Sequence, residues 1–286
     1  MGRAEAVGAI LHGAARVNEP MRGVRVALLE SRMETELASL VRRHGGEPVC
    51  VPAMREIEQD CADGVARAYG ALVRGDAVAV FTTGVGLERF LRVAADIGIG
   101  DELRAGLAGA MVVCRGPKPI AVLKRHGLPV HVRAQSPHTT RELLAALEAV
   151  AVAARDVVFV HDGGGNRDGA DALSRRGARV VDVQPYVWAL PEDLGPLRGL
   201  VETIVAGQVD AVAFTTQAQA RHLFAVADTM GLRGAMAGAM SERVLVAAVG
   251  PTCARALSQL GAPPHVVPGQ AKMGALVVAL AARFAG

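Results

Sequence analysis

Two pairs of neighbouring threonines are the first residues of this chain placed to do chemistry. Thr82-Thr83-Gly84 follows the apolar run Ala77 to Phe81, and Thr215-Thr216-Gln217 follows Ala211 to Phe214. A threonine between a strand and a helix has two uses: it caps the first helical amides, or it turns its hydroxyl to a ligand. Gly116-Pro117 and Gly250-Pro251 make a second pair of turns. Proline suits a first helical position, where an N–H would be unpaired anyway. The amides around Lys118, Thr252 and Cys253 then lie at the positive end of a helix and can hold a carboxylate. Pro119 removes one such amide from the N-terminal copy. Capping explains either Gly-Pro turn taken singly, and its occurrence twice shifts the balance toward a ligand. The third kind of turn is His161-Asp162-Gly163-Gly164-Gly165-Asn166. Its glycines let backbone approach a ligand closely, or simply make a tight turn. Tyr186 is either a proton donor to a departing oxygen or a half-buried structural phenol. Lys118 and Arg255 either add charge or sit as solvated helix residues.

Other chemistries lack their residues. No G-x-S-x-G elbow supplies a serine nucleophile. Neither a G-x-x-x-x-G-K-S/T phosphate loop nor a complete G-x-G-x-x-G follows a strand. The four cysteines form no CxxC pair, and the eight histidines have no zinc spacing. Neither a metal nor a cofactor is expected.

The elements that must carry these turns alternate. Short Val/Ala-rich runs predict strands at Val24 to Leu29, Ala77 to Phe81, Met111 to Cys114, Val157 to Val160, Ala211 to Phe214 and Leu245 to Val249. Continuous apolar runs of this length suit strands buried on both faces of a parallel sheet. Helical stretches are predicted at Glu34 to His44, Leu87 to Asp96, Pro117 to His126, Arg141 to Ala153, Gly169 to Arg176, Ala218 to Met230, Pro251 to Leu260 and Gly274 to Phe284. The class is α/β, with helices on both sheet faces and ligands beyond the carboxyl ends of the strands.

The chain also repeats itself. Asp76 to Thr83 recurs as Asp210 to Thr216. Gly116-Pro117, Leu123, Gly127, Pro129 and His131 recur as Gly250-Pro251, Leu257, Gly261, Pro263 and His265. A weaker match pairs Val24 to Val51 with Asp156 to Val183. So large a period means a duplicated domain and not a solenoid.

The chain of 286 residues is 51% hydrophobic and 21% charged, so a large core is available and disorder is not expected. A net charge of +3 with scattered Lys and Arg tolerates an anionic ligand but is no nucleic-acid footprint. No apolar run reaches the roughly 18 residues that span a bilayer. The first residues lack the sustained apolar core of a signal peptide, so Met1 to Arg22 reads as a flexible extension and the setting as cytoplasmic and reduced.

Taken together, these residues resemble the uroporphyrinogen-III synthase family from about Val24 to the end. Asp210 to Thr216 is similar to its "D-x-x-x-F-T-S" strand, with Thr216 for the usual Ser. Val246 to Leu257 is similar to its "a-x-x-G-x-x-T-A-x-x-L" signature, closed by Gly261. The Gly-Gly-Asn turn and Tyr186 stand where the family has its glycine-asparagine turn and tyrosine. Cys253 departs from the second Thr of many relatives.

The resemblance implies two flavodoxin-like parallel-sheet domains joined by a two-stranded connector, with the active site in the cleft between them. Residues 23–46 plus 189–286 would form one domain and 52–184 the other, with 47–51 and 185–188 as connectors. It further implies that hydroxymethylbilane, a linear tetrapyrrole polycarboxylate, closes to uroporphyrinogen III with ring D inverted and water lost. Carboxylates would be bound by Thr82, Thr83, Gly84, Gly116, Lys118, Gly163, Gly164, Asn166, Thr215, Thr216, Gln217, Gly250, Pro251, Thr252 and Cys253, and Tyr186 would assist departure of the hydroxyl. The implied partners are the small-molecule substrate and, transiently, hydroxymethylbilane synthase. Neither nucleic acid nor membrane is implied, and the expected state is a monomer. Two rival readings are a non-catalytic ligand-sensing relative and a two-lobed binder of the periplasmic type; the missing signal peptide counts against the second.

Overall fold

The computed structural model describes residues 19–165 and 167–285. The chain runs β1 (Arg25–Leu28), α1 (Glu34–Arg43), β2 (Glu47–Cys50), β3 (Arg55–Glu58), α2 (Ala62–Val73), β4 (Val78–Phe81), α3 (Gly84–Asp96), α4 (Gly100–Gly109), β5 (Met111–Cys114), α5 (Pro117–Arg125), β6 (Val132–Arg133) and α6 (Thr140–Leu147). It then repeats the pattern as β7 (Asp156–Val160), α7 (Asp168–Arg175), β8 (Arg179–Val183), β9 (Tyr186–Ala189), α8 (Gly195–Val205), β10 (Ala211–Phe214), α9 (Gln217–Thr229), α10 (Arg233–Glu242), β11 (Leu245–Ala248), α11 (Pro251–Leu260) and α12 (Met273–Ala281). In the second half a single bridge from Ala247 to Val266 stands in the place of β6.

The sheets do not follow the halves. One parallel sheet has the order β11-β10-β1-β2, so it joins the opening unit of the first half to the closing unit of the second. The other has the order β6-β5-β4-β7-β8 and joins the closing unit of the first half to the opening unit of the second. Each lobe is thus assembled from exchanged parts, and each sheet begins with the doubly wound order 2-1-3-4 when counted from its β-α-β opening unit. The remaining strands, β3 and β9, pair antiparallel between the lobes, with Arg55 opposite Ala189 and Glu58 opposite Tyr186.

Both sheets are covered on both faces, which explains their unbroken apolar strands. In the four-stranded sheet Ala27, Val212 and Phe214 face one core, while Val26, Leu28 and Ala213 face the other. In the five-stranded sheet Ala79, Phe81 and Val158 alternate with Val78, Val80 and Phe159 in the same way. The duplication extends to single hydrogen bonds. His131 Nδ1 accepts from the Val112 amide, and His265 Nδ1 from the Val246 amide, both at 3.0 Å.

All six strands read from the sequence are present, as are all eight helices, with boundary shifts that are largest in α6, which ends at Leu147. Three placements differ from expectation. Segment 47–51 does not cross between lobes: β2 pairs in parallel with β1, Val26 opposite Pro48, because a strand after a short helical crossover packs beside its predecessor. Pro48 is tolerated because β2 is a sheet edge. The crossing strands are therefore Arg55–Glu58 and Tyr186–Ala189, while Val180 to Val183 belongs to β8. Residues 1–18 of the expected extension lie outside the described residues. Met21, assigned to the same extension, is fully buried, and its amide donates to the His44 carbonyl at 2.9 Å.

Candidate functional site

Four elements converge where the lobes meet. β4 ends at Phe81 and delivers Thr82 and Thr83 to the start of α3. Thr83 caps that helix, accepting from the Gly86 amide at 3.0 Å. The same oxygen lies 3.2 Å from the Tyr186 hydroxyl on β9. A helix N-terminus, a threonine and a phenol are thus linked in one chain of hydrogen bonds. Thr82 plays a different part from the one expected: it is buried, and its hydroxyl donates to the Val160 carbonyl at 2.9 Å, tying β4 to β7.

Tyr186 is only 1% exposed. Trp188 meets it edge-on with ring centroids 5.4 Å apart. The glycine turn after β7 closes on both rings. A Cβ on Gly163 would stand 2.5 Å from Tyr186 Cε2 and 2.7 Å from Trp188 Cδ1, so only glycine fits. The Trp188 amide donates to the Gly163 carbonyl at 2.8 Å, and the Gln184 side chain donates to the Asp162 and Tyr186 carbonyls. Gly163 therefore acts by docking the turn on the crossing strands. Gly164 donates its amide to Asp162, whose other oxygen pairs with Arg115 at 2.7 Å. Asn166 lies outside the described residues.

Two arginines that the sequence reading missed complete the cluster. Arg32, from the loop after β1, lies over Trp188 at 4.4 Å and over Tyr186 at 5.9 Å. Arg89 on α3 lies over Tyr186 at 5.1 Å. Both pair with Glu56 of β3. The geometry follows from two periodicities: alternate strand residues Glu56 and Glu58 share a face, and Arg89 and Arg92 share a helix face three residues apart. Arg92 accordingly pairs with Glu58. Glu56 thus joins an arginine of each lobe through a crossing strand.

The second threonine pair is built otherwise. Thr216 caps α9 in a reciprocal capping box with Gln219, whose side-chain oxygen accepts from the Thr215 amide at 2.8 Å. Thr215 donates its hydroxyl to Glu30, and the Gln219 amide nitrogen donates to Thr215 Oγ1 at 2.9 Å. Gln219 is fully buried, and Thr216 Oγ1 lies 3.7 Å from Met54 Sδ. Thr215 thus has both donors engaged internally. Gln217 is the first helical residue and half-buried. The sequence held a signal for this network: the Thr216-to-Gln219 spacing of a capping box. The weak repeat also places Glu30 opposite Asp162, an acidic residue after the first strand of each unit.

Among the remaining candidates, Gly116 and Gly250 are the extended N-cap residues of α5 and α11, where no side chain caps the helix. Gly250 is held close, since an added Cβ would lie 3.0 Å from Ala271 Cβ. Lys118, Pro251 and Thr252 are exposed. The Lys118 carbonyl packs on α3, 3.1 Å from where a Gly84 Cβ would stand. Cys253 is corrected by the structure. It is 3% exposed in the core, its thiol lies 3.8 Å from the Phe214 carbonyl, and burial pushes its pKa up to about 12. A helix residue one turn from the cap points inward here because the apolar face of α11 requires it. Beside the glycine turn, the buried His161 contacts Asp182 at 2.6 Å, and Arg167 reaches the same carboxylate. Burial pushes Asp182 up, but the hydrogen bonds from His161 and Arg167 outweigh it and hold it below its usual value.

Fold and site together define a two-lobed α/β protein, duplicated and exchanged, whose polar groups converge on the strands joining the lobes. The chain belongs to the uroporphyrinogen-III synthase family: the family described as uroporphyrinogen-III synthase HemD matches residues 35–278. The uncharacterized protein YjjA of Bacillus subtilis is 32% identical, over 91% of this chain and 95% of its own. A Methanothermobacter thermautotrophicus protein provisionally named a uroporphyrinogen-III synthase is 26% identical, over 79% of this chain and 85% of its own. Among solved structures, a mutant uroporphyrinogen III synthase of Thermus thermophilus superposes with a TM-score of 0.73 at 28% identity, covering 91% of this chain and 98% of that one. No helix among the described residues is long and apolar enough to cross a membrane.

Proposed function

We propose that this chain is a uroporphyrinogen-III synthase, closing hydroxymethylbilane to uroporphyrinogen III with inversion of ring D and loss of water, in tetrapyrrole biosynthesis. The observation that carries this reading is the Tyr186 hydroxyl, held 3.2 Å from Thr83 Oγ1 at the start of α3, on a strand crossing between the lobes. Departure of the substrate's hydroxyl requires a proton, and a phenol oriented by a second hydroxyl can supply it. The resulting azafulvene is attacked by the substituted carbon of ring D, and the spiro intermediate opens and recloses. The pyrroles supply that reactivity themselves. The protein's task is positioning, so that attack at the substituted carbon outruns direct closure.

Hydroxyls and helix-end amides suit the carboxylates of such a substrate without a fixed countercharge for each. Thr83, Gly84 and Gly116 serve from one lobe, and Thr216, Gln217, Gly250 and Thr252 from the other. Because Tyr186 is covered by Arg32, Arg89 and Trp188, substrate reaches it only as these side chains give way. The test is the isomer ratio formed from hydroxymethylbilane. The parent should give type III product and Tyr186→Phe mainly type I at the uncatalysed rate. A parent that yields only type I would refute the assignment.

A further inference from the structure

The ion cluster on the crossing strands is built in an uneconomical way for a merely structural device. Glu56 is buried to 16% side-chain exposure between Arg32 at 40% and Arg89 at 18%. Among the described residues, the two buried side-chain polar atoms without a hydrogen-bond partner are both here: Glu56 Oε2 and Arg89 Nη1. Glu56 Oε2 is ion-paired with Arg32, so the group left without an acceptor is Arg89 Nη1. Buried charge left half-satisfied is costly, and such groups call for an explanation. Another buried carboxylate lacks this defect: Asp156 takes hydrogen bonds from both Arg74 and Arg179.

Resting on the proposed function, we infer that Glu56 is an internal stand-in for a carboxylate of the substrate. In the free protein Glu56 occupies the two guanidinium groups that cover Tyr186. On binding, a carboxylate of the polycarboxylate takes Arg32 and Arg89, meets the unpartnered Nη1 of Arg89, and releases Glu56. Planar guanidinium groups are suited to exchange one carboxylate for another, because the same fork serves each. The exchange also uncovers the phenol, since the arginines it moves are those stacked on Tyr186. Occupation of the site and access to its proton donor become one event. Glu56 touches no reacting atom in this scheme and is a positioning residue.

The test uses opposite signs within one ion cluster. Steady-state turnover of hydroxymethylbilane is measured for the parent, Glu56→Gln, Arg89→Met and Arg89→Lys, with thermal melts to establish folding. Removing the internal competitor, Glu56→Gln should lower KM several-fold. Arg89→Met should raise KM about tenfold, the scale of one charge-assisted hydrogen bond, and Arg89→Lys should recover part of that loss. If the cluster only joined the lobes, Glu56→Gln and Arg89→Met would move KM the same way, and that outcome overturns the exchange while leaving the assigned reaction intact. A parent that makes no type III product overturns both. If Arg89→Met does not fold, Glu56→Gln against Arg89→Lys gives the same contrast of sign.

Discussion

Thr82-Thr83 and Thr215-Thr216 end equivalent strands of a duplicated unit, yet their surroundings are opposite. After Thr216 the helix begins Gln217-Ala218-Gln219, and the buried Gln219 turns back to occupy the Thr215 amide, the Thr215 hydroxyl and Glu30. After Thr83 it begins Gly84-Val85-Gly86, with no side chain to fold back, and Thr83 turns instead to Tyr186. One turn is a closed polar knot that stiffens its lobe. The other is an open cap facing the crossing strand. Duplication supplied two copies of one threonine-capped turn, and a few side chains decided which copy meets the phenol.

The largest expected effect is on that phenol. Tyr186→Phe should lower kcat by about 10²-fold or more, the usual contribution of a positioned acid, with the product shifting to type I; equal turnover would remove Tyr186 from the mechanism. Next is the glycine that seats it. Gly163→Ala should destabilise the protein by about 1–3 kcal/mol through overpacking against both rings, and should also reduce turnover, read by melts and by rate. On the closed side, Gln219→Ala strips partners from Glu30 and the Thr215 amide. It should cost about 1–3 kcal/mol of stability while the type III fraction stays at the parent value; a collapse of isomer selectivity would show that Gln219, Thr215 and Glu30 belong to the site as well. Thr83→Ala and Thr216→Ala each lose a cap worth about 1 kcal/mol, but only Thr83→Ala should lower kcat, whereas Thr216→Ala should act through KM.

The smallest effect separates the lobes by acid. Hydrogen bonds from Arg179 and Arg74 hold Asp156 below its usual value, and Asp182 is likewise lowered. A hydrogen bond from Thr139 brings Glu142 down to about 2. All three belong to the lobe of β4 to β8. Because their folded values are depressed, the stability they give is present above the ordinary carboxylate range and lost as pH falls toward those lower values. Amide exchange followed from about pH 5 to about pH 3 should find this lobe loosening first, and Asp156→Asn should flatten its decline.

Much of this architecture was legible in the residues. Strands such as Val78 to Phe81 are apolar throughout because both faces are covered, so they stand out in any reading. Helices α2, α4, α8 and α10 escaped notice because glycines such as Gly64, Gly70, Gly100, Gly106, Gly199, Gly234 and Gly238 weaken the helical signal. Of the two crossing strands, Tyr186–Ala189 falls on the expected connector 185–188, whereas Arg55–Glu58 escaped for a different reason. Arg55-Glu56-Ile57-Glu58 has no core to face, so it carries charge where a sheet strand carries valine. That same charge built the part of the site that motif reading could not find. Arg32, Glu56 and Arg89 come from three distant segments, and only the exchange of units between halves brings them within reach of Tyr186. The threonine pairs and the tyrosine were found by their places at strand ends. The thiol of Cys253 was misplaced because a family motif marks a position, while the apolar face of α11 decides its direction.

The exchange of units has a consequence for synthesis. The lobe of β4 to β8 is continuous in the chain, so it has all its strands as soon as Val183 leaves the ribosome. Among the described strands β1 is made first; it can pair with β2, but its other edge must wait for β10. Until then Val26 to Leu29 keeps an unpaired apolar edge, open to wrong partners. The β1-α1-β2 unit is therefore made before the continuous lobe yet completed after it, and a message truncated just before β10 would yield one sound lobe preceded by a half-built sheet.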